Sequence, residues 1–404
     1  MRSLIILKGL VKKDKKSWIR KEGLENFTLD IENIKTLFYR PDYKGGGRDY
    51  LIRSYDDQVY KIFIQSLCSR LSTGMLVVID PESEPLGSIE DLATIYGYTV
   101  FYHVESIPAG YVGKNRKYVN PRYITPSKET LEKEVGEFNR IDWSDKNLIN
   151  SYEDVEIWWR KYNKPKILNP KDEVLFISDL HSHWNIFKNH IPSSTGLTVL
   201  LGDYIDGPEK GGSRKLVDHL LECPKKNMMW LEGNHELRLR KYLGWSYLKS
   251  KGKKVVSEIL EGELNPEFMT STALEFGDIK GDDALEYVKA INEKLLEYLI
   301  FDRGNETFIC SHAGLRWVEQ LCPKFIGNVI YSGKNVERVD QQFSNQYKDN
   351  NLWSIHGHCK YTDMKFRKYP NILNLDTENE RMVNYAICKP NGKIKIQSIY
   401  ENRR

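Results

Sequence analysis

Cysteine is scarce and scattered in this chain. The six residues, Cys68, Cys223, Cys310, Cys322, Cys359 and Cys388, form no C-x-x-C pair and no dense spacing. That speaks against a secreted disulfide framework and for reduced thiols of a cytosol, where each serves as a small buried hydrophobe. Long apolar runs are missing too: no stretch approaches the roughly 20 residues of a membrane span. The first apolar stretch, Leu4 to Leu7, is too short for a signal-peptide core, has no small-residue cleavage site and runs straight into lysines. A soluble, cytoplasmic protein with no membrane partner is expected. A one-sided charge is also lacking, because 60 basic residues face 56 acidic ones for a net charge of +4. No global field announces nucleic acid, although Lys12, Lys13, Lys15, Lys16, Arg20 and Lys21 form a local basic cluster. Internal repeats and low-complexity segments are absent.

What is present is a globular balance, 29% charged and 40% apolar, over 404 residues. That length suits two domains, each able to bury its own core. The first half alternates short apolar runs with amphipathic stretches. Leu4 to Leu7, Met75 to Ile79 and Thr99 to Val104 read as strands. Tyr55, Val59, Ile62, Phe63, Leu67 and Leu71 keep helical spacing, and Ile89 to Tyr96 is helical. This βαβ rhythm predicts a parallel sheet. Beyond the helix-like Ser127 to Phe138, the polar stretch through Lys164, Pro165 and Pro170 marks a boundary. We therefore divide the chain into a first domain over 1–140, a linker over 141–170 and a second domain over 171–404. The fold expected is α/β: a parallel domain followed by a β-sandwich flanked by helices.

Five polar clusters follow predicted strands in the second domain. They are Asp179-Leu180-His181, Gly202-Asp203-Tyr204-Ile205-Asp206, Gly233-Asn234-His235-Glu236, Ser311-His312-Ala313-Gly314 and Gly357-His358. Each offers oxygen or imidazole donors at the carboxyl edge of a sheet, where α/β proteins place their sites. Divalent metals accept that mixed donor set, and a pair can share a carboxylate and activate a hydroxide. One Asp-x-His alone is more often coincidence, but five clusters in order are not. His103, His183, His190, His219 and His356 match no motif position, and structural roles are expected for them; His356 is the nearest competitor of His358.

The clusters resemble the calcineurin-like metallophosphoesterases, in particular their phosphoprotein-phosphatase branch, with motifs D-x-H, G-D-x-x-D-R, G-N-H-E, H-A-G and G-H-T. The resemblance covers the second half of the chain and extends to the strand ending in Asp376-Thr377. It implies that Asp179, His181 and Asp203 hold one metal, and that Asp203 bridges to a second held by Asn234, His312 and His358. His235 would protonate the leaving oxygen, with Asp206 orienting it, and Asp376 would support a ligand or act as one. Manganese is the metal expected, with iron, zinc and nickel as alternatives. Two positions depart from the pattern. Gly207 stands where the family has arginine, which removes a guanidinium clamp on phosphate, and Ser182 replaces a glycine. Arg214, Arg238 and Arg316 are the candidates to replace the clamp.

At the other end, Gly9, Lys15 and Ser17 lie between a strand and a helix in a sequence resembling the Walker A loop of polynucleotide kinases, G-x-x-x-x-G-K-S/T. Asp14 occupies the second glycine position and Lys16 that of the magnesium-binding hydroxyl, so ATP or GTP binding is expected to be impaired. Glu32 and Lys35 resemble the kinase catalytic segment, Asp80 and the stretch to Val100 its later elements, and Asn115, Arg116 and Arg122 to Pro126 its lid. The order of domains resembles that of polynucleotide kinase-phosphatases. The activity this implies is removal of a 3′-phosphate, or opening of a 2′,3′-cyclic phosphate, on RNA or DNA ends. A serine/threonine protein phosphatase, a dinucleoside polyphosphate hydrolase and a non-enzymatic end-binding or regulatory protein are the alternatives. Leu237 to Asn305 reads as a mostly helical insertion roofing the site, with Ala290 to Leu299 its clearest amphipathic piece.

Overall fold

The computed structural model describes residues 2–9, 12–31, 33–34, 48–81, 86–105, 141–163, 166–167, 172–191, 196–222, 227–264, 272–327, 336–358, 366–376, 382–390 and 393–400. Glu32, Lys35, Asn115, Arg116, the segment from Arg122 to Pro126, the helix read over Ser127 to Phe138 and Thr377 lie outside these residues.

Five strands of the first half form one sheet in the order β2-β3-β1-β4-β5. They are β1 (Arg2–Lys8), β2 (Thr28–Asp30), β3 (Val77–Asp80), β4 (Tyr98–Val104) and β5 (Leu148–Ile149). Every pairing is parallel, with Leu4 opposite Val77 on one side and Val100 on the other. A strand flanked on both edges and covered on both faces reads as a near-continuous apolar run. The chain obeys this, since Leu4, Ile5, Ile6 and Leu7 are all fully buried. Helices Lys12–Lys21, Arg48–Ser72 and Leu86–Ile95 make the crossovers.

The second half stacks two sheets. One runs β10-β9-β8-β7-β15-β16 and the other β14-β13-β12-β11-β6. The first contains β7 (Val174–Ser178), β8 (Leu197–Leu200), β9 (Met228–Leu231), β10 (Leu295–Leu296), β15 (Met382–Cys388) and β16 (Ile394–Tyr400). The second contains β6 (Lys166–Ile167), β11 (Tyr298–Arg303), β12 (Glu306–Ser311), β13 (Leu352–His356) and β14 (Ile372–Asn374). Alternate residues of each, among them Phe176, Val199, Leu231, Phe301, Phe308, Ile355 and Leu373, meet in a dry core between the layers. Phe301 and Phe308 stack with centroids 5.0 Å apart.

Two sequence readings need correction. The stretch over 141–170, read as a linker, adds β5 to one sheet and β6 to another, with helix Tyr152–Tyr162 between them. Ala290 to Leu299 is not one helical piece: helix Asp282–Lys294 stops at Lys294, and β10 and β11 follow at once. Leu295 and Leu296 leave the helix because they extend the sheet beside Trp230 and Leu231. Helical periodicity cannot report that tertiary demand.

Three helices of the insertion, Asn234–Ser250, Lys254–Gly262 and Asp282–Lys294, pack against helices of the N-terminal half, whereas Thr272–Glu275 packs against Gly212–Glu222 and Asn234–Ser250. Ile95, Tyr96, Leu67, Leu243, Leu260 and Ile291 belong to one continuous hydrophobic cluster that runs through both halves. Lys253 bonds Asp91 at 2.6 Å, and Tyr96 donates to Glu263 at 2.7 Å across the same boundary.

Candidate metal centre

The five clusters converge at the ends of β7, β8, β9, β12 and β13. Two groups there could each hold a cation, Asp179 with His181 and Asp203, and Asp203 with His312 and His358; within each, the donor atoms lie within 4.8 Å of one another. Asp203 belongs to both. Asn234 joins the second group, because its Oδ1 lies 3.1 Å from His312 Nε2.

Local backbone geometry is unusual here. Of seven non-glycine residues with positive φ among the described residues, six are Asp179, His181, Ser182, Asp203, Asp206 and His358. Left-handed backbone costs a side-chain-bearing residue about 1 kcal/mol or more, so such clustering points to function. The cost is carried by the flanking strands and by Glu236. Its buried carboxylate accepts N–H bonds from Gly233 at 2.9 Å, Asp203 at 3.0 Å and Tyr204 at 2.8 Å, tying two of the loops together. Burial and the charge of Asp203 push Glu236 up to about 7. In the sequence this role has one signal, the place of Glu236 three residues after the helix N-cap Gly233.

The electrostatics fit a cation. Burial, with Asp376 close by, holds Asp179 well above the usual carboxylate range. Burial raises Asp203 as well, but His235 and His312 outweigh it and leave the carboxylate well below its usual range. Burial lowers His181, and burial together with His312 lowers His358 to about 3, so both rings are neutral, as a metal requires. Buried carboxylates beside neutral imidazoles form a donor set that divalent metals satisfy. Asp376 acts on both Asp179 and His181.

His235 is held by two carboxylates. Its Nδ1 lies 2.7 Å from Asp206 Oδ2, and its backbone N–H donates to Asp203 Oδ1 at 3.1 Å. Burial alone would lower its pKa, but Asp203 and Asp206 overcome that and raise it. His356 does not compete with His358: it is wholly buried and its Nε2 lies 3.1 Å from Asp340, on helix Val336–Tyr347.

The two departures from the motif pattern turn out to be one arrangement. Ser182 Oγ accepts the Gly207 N–H at 3.0 Å and contacts Ser213 Oγ at 2.6 Å. A Cβ on Gly207 would lie 1.6 Å from the His181 carbonyl oxygen, so no side chain fits there. Of the arginines considered as replacements, Arg214 is committed: it bonds Asp218 and Asp278 and stacks over Phe276 and Tyr287. Arg238 is half-buried, one turn beyond His235, and its charge is felt by that ring. Among the described residues it makes no hydrogen bond or ion pair. Arg316 is half-buried too, and its Nε has no hydrogen bond.

Gly9, Lys15 and Ser17 lie at the end of β1 and on the helix that follows, and none of them belongs to either donor group. Lys15 is buried and paired with Asp80 at 2.6 Å, Lys16 lies 3.8 Å from Asp30, and Ser17 is exposed. No described helix is long and apolar enough to cross a membrane.

Among the curated proteins none matches this chain. Solved structures similar to it include a candidate diadenosine tetraphosphatase, at 15% identity over 59% of this chain and all of that one, with a TM-score of 0.36. A cold-active protein-tyrosine phosphatase from a psychrophilic Shewanella is similar at 12% identity, over 58% and 82% of the two chains, with a TM-score of 0.34. A metallophosphoesterase from Sphaerobacter thermophilus is similar at 13%, over 57% and 89%, with a TM-score of 0.29. The family model for calcineurin-like phosphoesterases matches residues 173–388, more than half of the chain. With that match resting on the segment that carries all five clusters, the chain belongs to the calcineurin-like phosphoesterases, enzymes that hydrolyse phosphate esters with divalent metals.

Proposed function

We propose that the phosphoesterase acts on nucleic-acid ends, removing a 3′-phosphate or opening a 2′,3′-cyclic phosphate, RNA before DNA. The observation that carries this reading is the fusion. A parallel sheet whose first strand leads through Gly9 into a helix bearing Lys15 precedes the phosphoesterase, which supports reading this half as a P-loop domain. Lys15 is already neutralised by Asp80, which supports a kinase-like half that binds ATP or GTP weakly or not at all.

Asp179, His181 and Asp203 would hold one metal, and Asp203, Asn234, His312 and His358 a second, with manganese favoured. When bound, such ions make water nucleophilic at neutral pH and neutralise charge developing on phosphate. His235 gives its proton to the departing oxygen, and Asp206 holds the ring so that this proton faces the substrate. Arg238 takes over the clamping of the substrate phosphate: helical side chains lean toward the helix N-terminus, and the N-terminus here is Asn234 and His235.

The test compares phosphate release, with manganese, from a short RNA bearing a 3′-phosphate, a phosphopeptide and a dinucleoside tetraphosphate, with His235→Ala as control. RNA turnover that the substitution removes is the expected result. Preference for the phosphopeptide would indicate a serine/threonine protein phosphatase, and preference for the tetraphosphate a dinucleoside polyphosphate hydrolase. Metal binding without turnover of any substrate would leave an end-binding or regulatory protein.

A further inference from the structure

The two halves meet through charge buried at the root of the His235 loop. Glu232 is the residue between the end of β9 and Gly233-Asn234-His235. One carboxylate oxygen accepts a bond from Arg2 Nη2 at 2.6 Å, and the other accepts one from Arg240 Nη2. Arg2 belongs to β1, the central strand of the N-terminal sheet, whereas Arg240 lies on the helix that Asn234 begins. Both arginines are 1% exposed.

Neighbours on each side fix the guanidinium groups. Arg2 Nη1 donates to the Tyr96 carbonyl, and Arg240 Nη1 donates to Asn292 Oδ1 at 2.5 Å. Asn292 in turn donates to the Thr94 carbonyl of the N-terminal half at 2.7 Å. Gly97 leaves the room: a Cβ there would lie 2.1 Å from Arg240 Nη1 and 3.1 Å from Arg2 Nη1. A buried ion cluster of this kind is a poor source of net stability compared with apolar packing, but it admits few alternative arrangements.

We propose that Arg2 is a positioning residue of the phosphoesterase: through Glu232 and Arg240, the N-terminal sheet holds the strand end from which Asn234 and His235 project. The inference rests on the roles proposed for those two residues, and it assigns the N-terminal half a task that needs no nucleotide. Arg2 itself meets no reacting group.

The experiment uses the full chain with Arg2→Met, Arg2→Lys and Lys253→Met; the last breaks the Lys253–Asp91 contact between the halves without touching Glu232. Three quantities are read: kcat and KM for p-nitrophenyl phosphate with manganese, manganese affinity of the metal-free protein by calorimetry, and melting temperature. Since misplacement by about 1 Å can cost roughly a hundredfold in rate, Arg2→Met is expected to lower kcat by roughly ten- to a hundredfold. KM should stay nearly constant and manganese should bind more weakly. Arg2→Lys should recover most of both losses, and Lys253→Met should keep wild-type kcat. If Arg2→Met fails to fold, Gly97→Ala crowds the two guanidinium groups that hold Glu232, Arg240 most and Arg2 less, without removing charge, and should lower kcat alike. The proposal is overturned if Arg2→Met, or Gly97→Ala in its place, melts earlier yet retains wild-type kcat and manganese affinity. It is also overturned if Lys253→Met loses as much kcat. A wild type that hydrolyses no phosphate ester would sink the proposed function, and manganese calorimetry would then still decide the role of Arg2.

Discussion

Restoring the family's arginine at Gly207 should destroy activity rather than improve it. The reason is the backbone of His181, whose carbonyl oxygen would lie 1.6 Å from any Cβ at that position, against the 3.0 Å below which real contacts are essentially never seen. The shortfall, about 1.4 Å, must be taken up by the turn itself, because the obstructing atom is backbone and cannot rotate away. Moving that turn moves His181 and breaks the Gly207 N–H bond to Ser182. Displacements of about 1 Å can cost roughly a hundredfold in rate, so Gly207→Ala alone should lower kcat by about that factor. Overpacking should also cost about 1–3 kcal/mol of stability. The assay is hydrolysis of p-nitrophenyl phosphate with manganese below the melting temperature, next to Gly87→Ala, where an added Cβ meets nothing within 4 Å. Gly207→Arg should be at least as damaging as Gly207→Ala. Wild-type kcat in Gly207→Ala, or a gain in Gly207→Arg, would refute the claim that Ser182 and Gly207 are one coupled arrangement.

Four further outcomes follow from the geometry. His235→Ala should lower kcat by roughly 10²–10⁴-fold while calorimetry still detects manganese, as expected of a proton donor that is not a ligand. Arg238→Ala should lower kcat/KM by roughly ten- to a hundredfold, the worth of a charge-assisted hydrogen bond, and weaken competitive inhibition by inorganic phosphate. Asp340→Ala strands the buried His356 and should cost about 3–5 kcal/mol in urea denaturation. Chelation should abolish hydrolysis and readdition of manganese restore it, with little change in circular dichroism, because the donor loops are anchored by strands rather than by metal.

The buried contacts between the halves change how the N-terminal half is understood. The N-terminal half is not a detached appendage, because Ile95 and Tyr96 share one core with Leu243 and Leu260. A Cβ on Gly244 would come within 2.4 Å of Ile95, so the helix carrying His235 and the N-terminal helix Leu86–Ile95 pack too closely to separate without exposing core. The insertion read as a roof over the site supplies the helices of this joint.

The order and residue types of the five clusters, and their position after apolar strands, were legible in the sequence because they are local: each is a few residues long and each strand has its own period. Fully buried strands such as Leu4 to Leu7 and Val174 to Ile177 announced themselves for the same reason. What the sequence could not decide depends on partners far along the chain. Arg2 and Glu232 are 230 residues apart, and nothing near either says that they meet. The end of helix Asp282–Lys294 is set by β9, not by its own spacing. Gly207 reads as a lost arginine until the His181 carbonyl is seen against it, and Arg214 reads as a free cation until Asp218 and Asp278 are found beside it. Sequence specifies which donors are available; only the packing of strand ends against one another decides which of them share a site, since that depends on ångström-scale contacts between segments whose local patterns carry no record of each other.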